Sequence, residues 1–132
     1  NCAAWFNGDA LSLPQLRGNV VVMTLWGGFA VIGPGRERIE ELNWLYKTFK
    51  DIDDVAFVGI HDSSIEAEGV AQYVEDYAIE YPVGLDKEPA LTFTAYRTSI
   101  IPQTVLIDKK GVLRYYDVDG RLLELIKALR RE

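Results

Sequence analysis

Thiol chemistry has one candidate residue in this sequence, because Cys2 is the only cysteine among 132 residues. A single thiol excludes an internal disulfide, a cysteine-based metal site and any mechanism that needs two thiols within one chain. Three interpretations of Cys2 stay open: a free reactive or intermolecular thiol, a lipid-attachment residue near the start of the chain, or an incidental cysteine.

Imidazole chemistry also rests on one residue, His61, which rules out a His-rich metal site. His61 and Asp62 follow an apolar run, and ligands of α/β folds bind at the ends of such strands. A histidine beside a carboxylate can act as a general base. No nucleophile or third partner accompanies the pair, so helix capping by Asp62 or Ser63 is the favoured interpretation.

Two other groups of residues suggest ligand chemistry only weakly. Gly33 and Gly35 precede a predicted helix, whose first N–H groups can bind an anion. Asp117, Asp119 and Gly120 suggest calcium, but two carboxylates make a poor oxygen cage. We therefore predict no metal site and no cofactor.

Composition sets the class of protein. Fourteen Lys and Arg residues oppose twenty Asp and Glu residues, which gives a net charge of −6 and argues against nucleic-acid binding. With 48% apolar residues the chain is long enough and apolar enough for one globular domain. The longest apolar run, 20–30, is too short and too interrupted to span a bilayer. We expect residues 1–132 to form a single domain, whether alone or within a longer protein.

The elements that must position these residues alternate between strands and helices. Runs rich in β-branched residues, or with alternating polarity, predict strands in an opening hairpin (4–6 and 10–13) and at 20–26, 55–60, 81–85, 103–108 and 112–118. Apolar residues at helical spacing predict a single turn at 14–18 and helices at 36–50, 65–78, 90–96 and 121–131. Trp26 and Trp44 are predicted to lie in the core or in groove walls. This order predicts an α/β fold with a mixed central sheet and helices on both faces.

Four segments of the chain carry recognisable motifs. They are the opening Trp5-Phe6-Asn7-Gly8 with Leu11-Ser12-Leu13 and Leu16-Arg17-Gly18, then Leu25-Trp26-Gly27, then Gly33-Pro34 with 36–42, and finally Ile101-Pro102-Gln103-Thr104 with 106–111. In this order and spacing they resemble thioredoxin-fold domains of the TlpA/ResA type, within the redoxin and AhpC/TSA-like grouping. The resemblance implies a thioredoxin-like three-layer fold with an N-terminal β-hairpin extension.

The motif that carries that family's chemistry is lost here. In the family, a Cys-X-X-Cys motif begins the first helix, where the helix N-terminus stabilises the thiolate. The corresponding positions in this chain are Ile32 and Gly35, neither of which has an ionisable side chain. Six residues separate Trp26 from Gly33, so the loop is two residues longer than is usual in the family.

A second family feature survives in Pro102, which the resemblance identifies as the cis-proline that faces the motif loop. In the family this segment docks an extended polypeptide, and strand-like docking does not need cysteines. A peptide or protein partner at this groove and a purely structural turn are both compatible with the sequence. The candidate groove residues are Trp26, Ile32, Gly33, Pro34, Gly35, Arg36, Ile101 and Pro102.

The resemblance implies a thiol–disulfide oxidoreductase family and a location outside the cytoplasm, either periplasmic or membrane-tethered. Since both cysteine positions lack a thiol, we expect a redox-inactive binding or structural module without catalytic residues. The alternative is oxidoreductase or antioxidant activity retained through Cys2 or through a partner's thiol. Whether the chain is an enzyme therefore stays open at this point.

Overall fold

The computed structural model describes residues 2–30, 34–96, 101–116 and 120–132. Six strands form one sheet in the order β1-β4-β3-β2-β5-β6. Their bounds are β1 (Cys2–Phe6), β2 (Val20–Trp26), β3 (Val55–His61), β4 (Val83–Asp86), β5 (Gln103–Ile107) and β6 (Leu113–Tyr116). The pairs β2–β3 and β3–β4 are parallel, whereas β1–β4, β2–β5 and β5–β6 are antiparallel. The predicted mixed sheet is confirmed.

The helices connect these strands across both faces of the sheet. Their bounds are α1 (Pro34–Phe49), α2 (Ala67–Asp76), α3 (Leu91–Ala95) and α4 (Leu122–Arg130), with short 3₁₀ turns at Pro14–Leu16 and Gly28–Ala30. α1 begins two residues earlier than its apolar spacing predicts. Proline is well tolerated in the first turn of a helix, where its missing N–H costs no hydrogen bond.

Side chains of successive strand residues point to opposite faces, so β2 contributes to two separate cores. Val20, Val22 and Trp26 pack with α1, α2 and α4 on one side, which we call the three-helix face. Val21, Met23 and Leu25 pack on the other side, where α3 contributes Phe93; we call this the one-helix face. All seven residues of β2 are buried, as expected for a central strand covered on both sides.

The N-terminal strand is present and paired, but its partner differs from the predicted hairpin. β1 pairs with β4, and residues 10–13, all of them described, form no strand. Asn7 has a positive φ of 62°, and its side-chain amide donates hydrogen bonds to the carbonyl oxygens of Ile79 and Tyr81. These bonds attach the turn to the segment before β4, and Leu11 then packs on the one-helix face.

Trp44 does not lie in the core, so that part of the prediction is wrong. Its side chain is 56% exposed, whereas Leu42 and Leu45 on the same helix are buried. Two residues beyond Leu42 correspond to about 200° around a helix, which turns Trp44 away from the sheet.

Candidate functional site

The site that the sequence predicts lies where β2 ends and the chain turns towards α1. The turn at Gly28–Ala30 is held by His61, the last residue of the neighbouring strand β3. Trp26 and His61 are aligned in the parallel register of the two strands. The backbone N–H of Gly28 donates to His61 Nε2 at 2.9 Å, and His61 Nδ1 is 2.8 Å from the carbonyl oxygen of Asp62. Because Nε2 accepts a hydrogen bond, the proton of the neutral ring lies on Nδ1.

His61 is fully buried in an aromatic cluster. Its ring makes edge contacts with Trp26 and Phe29 at centroid distances of 4.8 and 6.0 Å, and it stacks on Tyr73 at 5.9 Å. Burial lowers the pKa of His61, partly offset by its hydrogen bond to the Asp62 carbonyl. A buried ring with both nitrogens engaged holds the loop and has no free atom for general-base chemistry.

The predicted helix cap after His61 is wrong. α2 begins at Ala67, and its N-cap residue is Glu66, which makes no side-chain capping bond. Asp62 Oδ1 instead accepts the N–H of Ser64 at 2.8 Å, closing a local turn before the helix. Asp62 therefore stabilises the loop between β3 and α2 and not the helix itself.

Gly28 is required by the packing of this cluster. A Cβ atom at Gly28 would lie 2.0–2.4 Å from the ring atoms of Tyr73, a distance at which something must move. The carbonyl oxygen of Gly28 accepts a hydrogen bond from the Tyr77 hydroxyl at 3.2 Å. The N–H and the C=O of one glycine are thus both fixed by aromatic side chains from other elements.

The second wall of the site is the Ile101–Pro102 segment that precedes β5, and its peptide bond is cis. Arg38 of α1 donates from Nη1 to the carbonyl oxygen of Pro102 at 2.8 Å. Ile101 is half-buried and approaches the turn, because its Cδ1 lies 3.0 Å from the Cβ position of Gly27. The same position lies 2.7 Å from the ring of Phe29, which is 51% exposed. Phe29 and Ile101 therefore flank Gly27 together.

Besides Ile101 and Pro102, the six other predicted groove residues differ in where the structure places them. Trp26 is fully buried and supports the site from beneath, so it is not a ligand-contacting wall. Gly35 is buried at the start of α1, whereas Arg36 is exposed and forms an ion pair with Glu40 at 3.2 Å. Ile32 and Gly33 lie outside the described residues, and Pro34 is described only as the first residue of α1.

Phe29, Arg38 and Tyr73 also contribute to the site, although they are not among the residues predicted from the sequence. The spacing of Tyr73 and Tyr77 one turn apart on α2 was the available signal, since such a pair shares one helix face. Their rings stack at 6.1 Å, and this face meets Gly28 and His61.

Cys2 lies on the edge strand β1, whereas this site lies at the ends of the central strands β2 and β3. It pairs with Asp86 on β4, and β1 is three strand positions from β2. At about 4.8 Å per strand this separation is roughly 14 Å. Burial of the thiol raises the pKa of Cys2, which reduces its thiolate fraction near neutral pH.

The described ranges hold neither a metal-binding cluster nor a membrane-spanning helix. No group of three or more His, Cys, Asp or Glu side chains there is arranged to hold a metal ion. No helix of the described residues is long and apolar enough to cross a membrane.

The chain matches the family model described as the AhpC/TSA family over residues 3–116. A search of curated proteins found no significant match. A thioredoxin-like superfamily protein of known structure is 29% identical, and the alignment covers 99% of this chain and 93% of that chain with a TM-score of 0.81.

Two further solved structures carry names that refer to thiol–disulfide chemistry. A thiol-disulfide isomerase from Corynebacterium glutamicum is 25% identical, with coverage of 100% and 94% and a TM-score of 0.81. A thiol-disulfide oxidoreductase from Bacteroides fragilis is 22% identical, with coverage of 98% and 99% and a TM-score of 0.80. At that identity the last comparison shows the fold alone. The thioredoxin-like architecture predicted for this chain is confirmed.

Proposed function

Because this chain belongs to the AhpC/TSA family but has no thiol at the end of β2, we propose that it is a redox-inactive thioredoxin-like module that binds an extended polypeptide segment. The binding site is the surface formed by Phe29, Ile101 and the start of α1. Within the family we assign it to the TlpA/ResA-like branch, from the motifs at residues 5–27 and 101–111.

The position of the sole cysteine carries the proposal that the module is redox-inactive. Thiol–disulfide exchange needs a thiolate that reaches the substrate disulfide. Cys2 lies about 14 Å across the sheet from the turn after β2, and its pKa is raised by burial. Ile32 and Gly35, at the family's cysteine positions, offer no replacement nucleophile.

The exposed apolar surface at the turn supports the binding role. Phe29 is half exposed although it contacts the buried ring of His61, and Ile101 flanks it across Gly27. An extended segment that lies on this turn would bury these two side chains, while the hydrogen bond from Arg38 to the Pro102 carbonyl attaches the second wall to α1. The rings of Trp26, His61 and Tyr73 pack beneath this surface. A surface that is held in place before binding lowers the entropic cost of binding.

The redox part of the proposal is tested by dithiothreitol-driven reduction of insulin. The wild type and Cys2→Ser are both expected to match the uncatalysed rate. The matched positive control is the Ile32→Cys/Gly35→Cys variant, which restores two thiols at the family positions and is expected to exceed background. A wild-type rate above background that is lost in Cys2→Ser would overturn the proposal in favour of an oxidoreductase or antioxidant that acts through Cys2.

The binding part is tested by fluorescence anisotropy with a labelled, S-carboxymethylated insulin B chain as the extended probe. Phe29→Ala and Ile101→Ala are expected to weaken binding by about three- to thirtyfold each, since each removes buried apolar area. Val112→Ala is the matched control, because Val112 is equally exposed at 52% but lies before β6. Equal losses in all three variants, or no binding by the wild type, would count against the groove.

The location proposed for this module is outside the cytoplasm, and it rests on the family resemblance alone. Fractionation of cells that express the full-length natural protein is expected to recover it from the periplasm or the membrane. Recovery from the cytoplasm alone would remove this part of the proposal and leave the binding site untouched.

A further inference from the structure

A cavity of about 550 Å³ opens on the one-helix face, away from the turn after β2. Its floor is the sheet, where Met23, Val58 and Ile60 are buried. One wall is α3, and the other is β1 with the irregular segment that follows it. The volume falls within the roughly 300–1,000 Å³ of small-molecule sites. None of its lining residues belongs to the Phe29 and Ile101 surface.

The cavity exists because this face is only partly covered. α3 has five residues, and the segment 10–16 crosses the face without forming a strand. The lining is mainly apolar, and Leu13 and Leu91 at its edges are 38% and 46% exposed. Apolar side chains left accessible around a concave apolar floor are typical of a ligand site.

The charge of the lining selects the class of ligand. Lys87 is the one charged residue among the described residues that line the cavity, and it is exposed. The ammonium of Lys87 forms no ion pair with a carboxylate in the described ranges, so it is free to bind an anion.

Asp86, the buried acid next to Lys87 in the sequence, already accepts hydrogen bonds from the backbone. Both carboxylate oxygens of Asp86 accept backbone N–H groups, namely those of Lys87, Thr92 and Phe93 at 2.9–3.1 Å. Asp86 does not line the cavity. These hydrogen bonds fix the start of α3. Lys87 is then the charged contact of the cavity, beside the hydroxyl groups of Ser12, Thr92 and Tyr96 in its lining.

We propose that this cavity binds a small amphipathic carboxylate, with the apolar part over Met23, Val58 and Ile60 and the carboxylate at Lys87. Such a ligand matches both properties of the lining, an apolar interior and a single positive charge at its edge. The site is independent of the polypeptide-binding surface, so each can fail without the other.

The probe is decanoate below its micellar concentration, measured by isothermal titration calorimetry on the full chain. We expect saturable binding at one site per chain. Decyltrimethylammonium, with the same chain length and the opposite charge, is expected to bind more weakly than decanoate. Equal affinities for the two probes would overturn the assignment of the carboxylate to Lys87.

Two sets of variants locate the site. Lys87→Gln is expected to weaken decanoate roughly two- to fivefold, the range for an exposed ion pair, and to leave decanol unchanged. Lys110→Gln is the matched exposed control. Val58→Phe and Ala95→Phe place a ring in the cavity from β3 and from α3, and each is expected to reduce affinity about tenfold or more. Unchanged binding in a folded variant of either kind would overturn the proposal.

Cys2 supplies an independent readout, because it lines the cavity and is the only thiol. Decanoate is expected to slow the alkylation of Cys2 by iodoacetamide in a saturable manner, with the midpoint found by calorimetry. Decanoate that binds without protecting Cys2 would place it elsewhere and overturn the proposal. Protection that appears without ligand and grows with protein concentration would also overturn it, since a second copy of the chain would then cover the cavity.

Discussion

The two faces of the sheet use the same strands but are covered very differently. On the three-helix face, nineteen buried residues of the described chain form one cluster, and α1, α2 and α4 supply more than half of them. On the one-helix face the cluster has eight, and Phe93 is the one that comes from a helix. A cavity of about 550 Å³ remains on that side. The difference shows that one face of a sheet can supply most of the buried core while the other face leaves space for a ligand.

The turn after β2 contacts both faces of the sheet. The backbone of Gly28 is held by His61 and Tyr77. Tyr77 packs against the cluster of the three-helix face, and the His61 ring contacts Trp26 and Tyr73 of that face. The outer surface of the turn carries Phe29 and Ile101, and Ile101 packs against the one-helix cluster. In a family whose chemistry depends on thiols at this turn, the chain keeps a well-supported turn after the thiols have been lost.

The largest expected effect comes from removing a side chain on the three-helix face. Ile126 is fully buried among well-packed neighbours, so Ile126→Ala is expected to lower the free energy of unfolding by about 2–5 kcal/mol. Met23→Ala on the other face is expected to cost less, since Met23 already borders a cavity. Equilibrium unfolding in urea measures both. A larger loss for Met23→Ala would break the comparison between the faces.

The next effect concerns the attachment of α3. Asp86 is buried and accepts three backbone N–H groups at the start of this short helix. Asp86→Ala leaves those donors without partners and is expected to cost about 2–3 kcal/mol. Amide hydrogen exchange should show the amides of Thr92 and Phe93 losing protection before those of α4. Uniform loss across both helices would mean that the one-helix face does not unfold separately.

A smaller effect depends on pH through His61. Burial lowers its pKa in the folded state below the value near 6.5 of an unfolded chain. The unfolded state therefore binds the proton more readily. The free energy of unfolding is therefore unaffected by the titration of His61 above about pH 6.5 and decreases as the pH falls from there towards the folded pKa. The slope of this decrease approaches about 1.4 kcal/mol per pH unit.

Urea unfolding between pH 5 and 7 measures this slope, and His61→Gln is the control. Glutamine keeps an acceptor for the Gly28 N–H but does not titrate in this range. Asp54 and Asp108 also have lowered pKa values, and their contributions are lost at more acidic pH. A variant with the same slope as the wild type would show that another group is responsible.

Most of the architecture could be predicted from the sequence, because periodicity and β-branched runs report local structure directly. The run 20–26 matches β2, and the predicted helix 121–131 contains α4. The role of His61 could not be predicted in the same way. It depends on the strand register that aligns it with Trp26 and on the Tyr73 ring brought in by α2.

The cavity was equally inaccessible to sequence analysis. The apolar side chains of Leu11 and Leu16 indicate that the N-terminal segment packs against the core, as it does on the one-helix face. They do not indicate that a cavity remains between this segment and α3. The pairing of β1 with β4, where a hairpin with residues 10–13 was predicted, has the same cause. Asn7 donates hydrogen bonds to carbonyl groups more than seventy positions away in the sequence. Contacts of that range are decided by tertiary packing and not by the local pattern.

The smallest expected effect is that of Val58→Leu, which is compared with the same substitution at Val22 on the other face. Val22 and Val58 are both buried in neighbouring strands. Val22 belongs to the cluster of the three-helix face and Val58 to that of the one-helix face, so they report separately on the two cores. Val22→Leu adds a methylene to a filled core and is expected to destabilise by about 1–3 kcal/mol. Val58→Leu extends into the cavity and is expected to change the free energy of unfolding by less than about 0.5 kcal/mol. Urea unfolding of both variants measures the difference, and equal losses would indicate that the space beside Val58 is not available to a larger side chain. If that space is available, the same variant should also weaken decanoate, because side chain and ligand then compete for one volume.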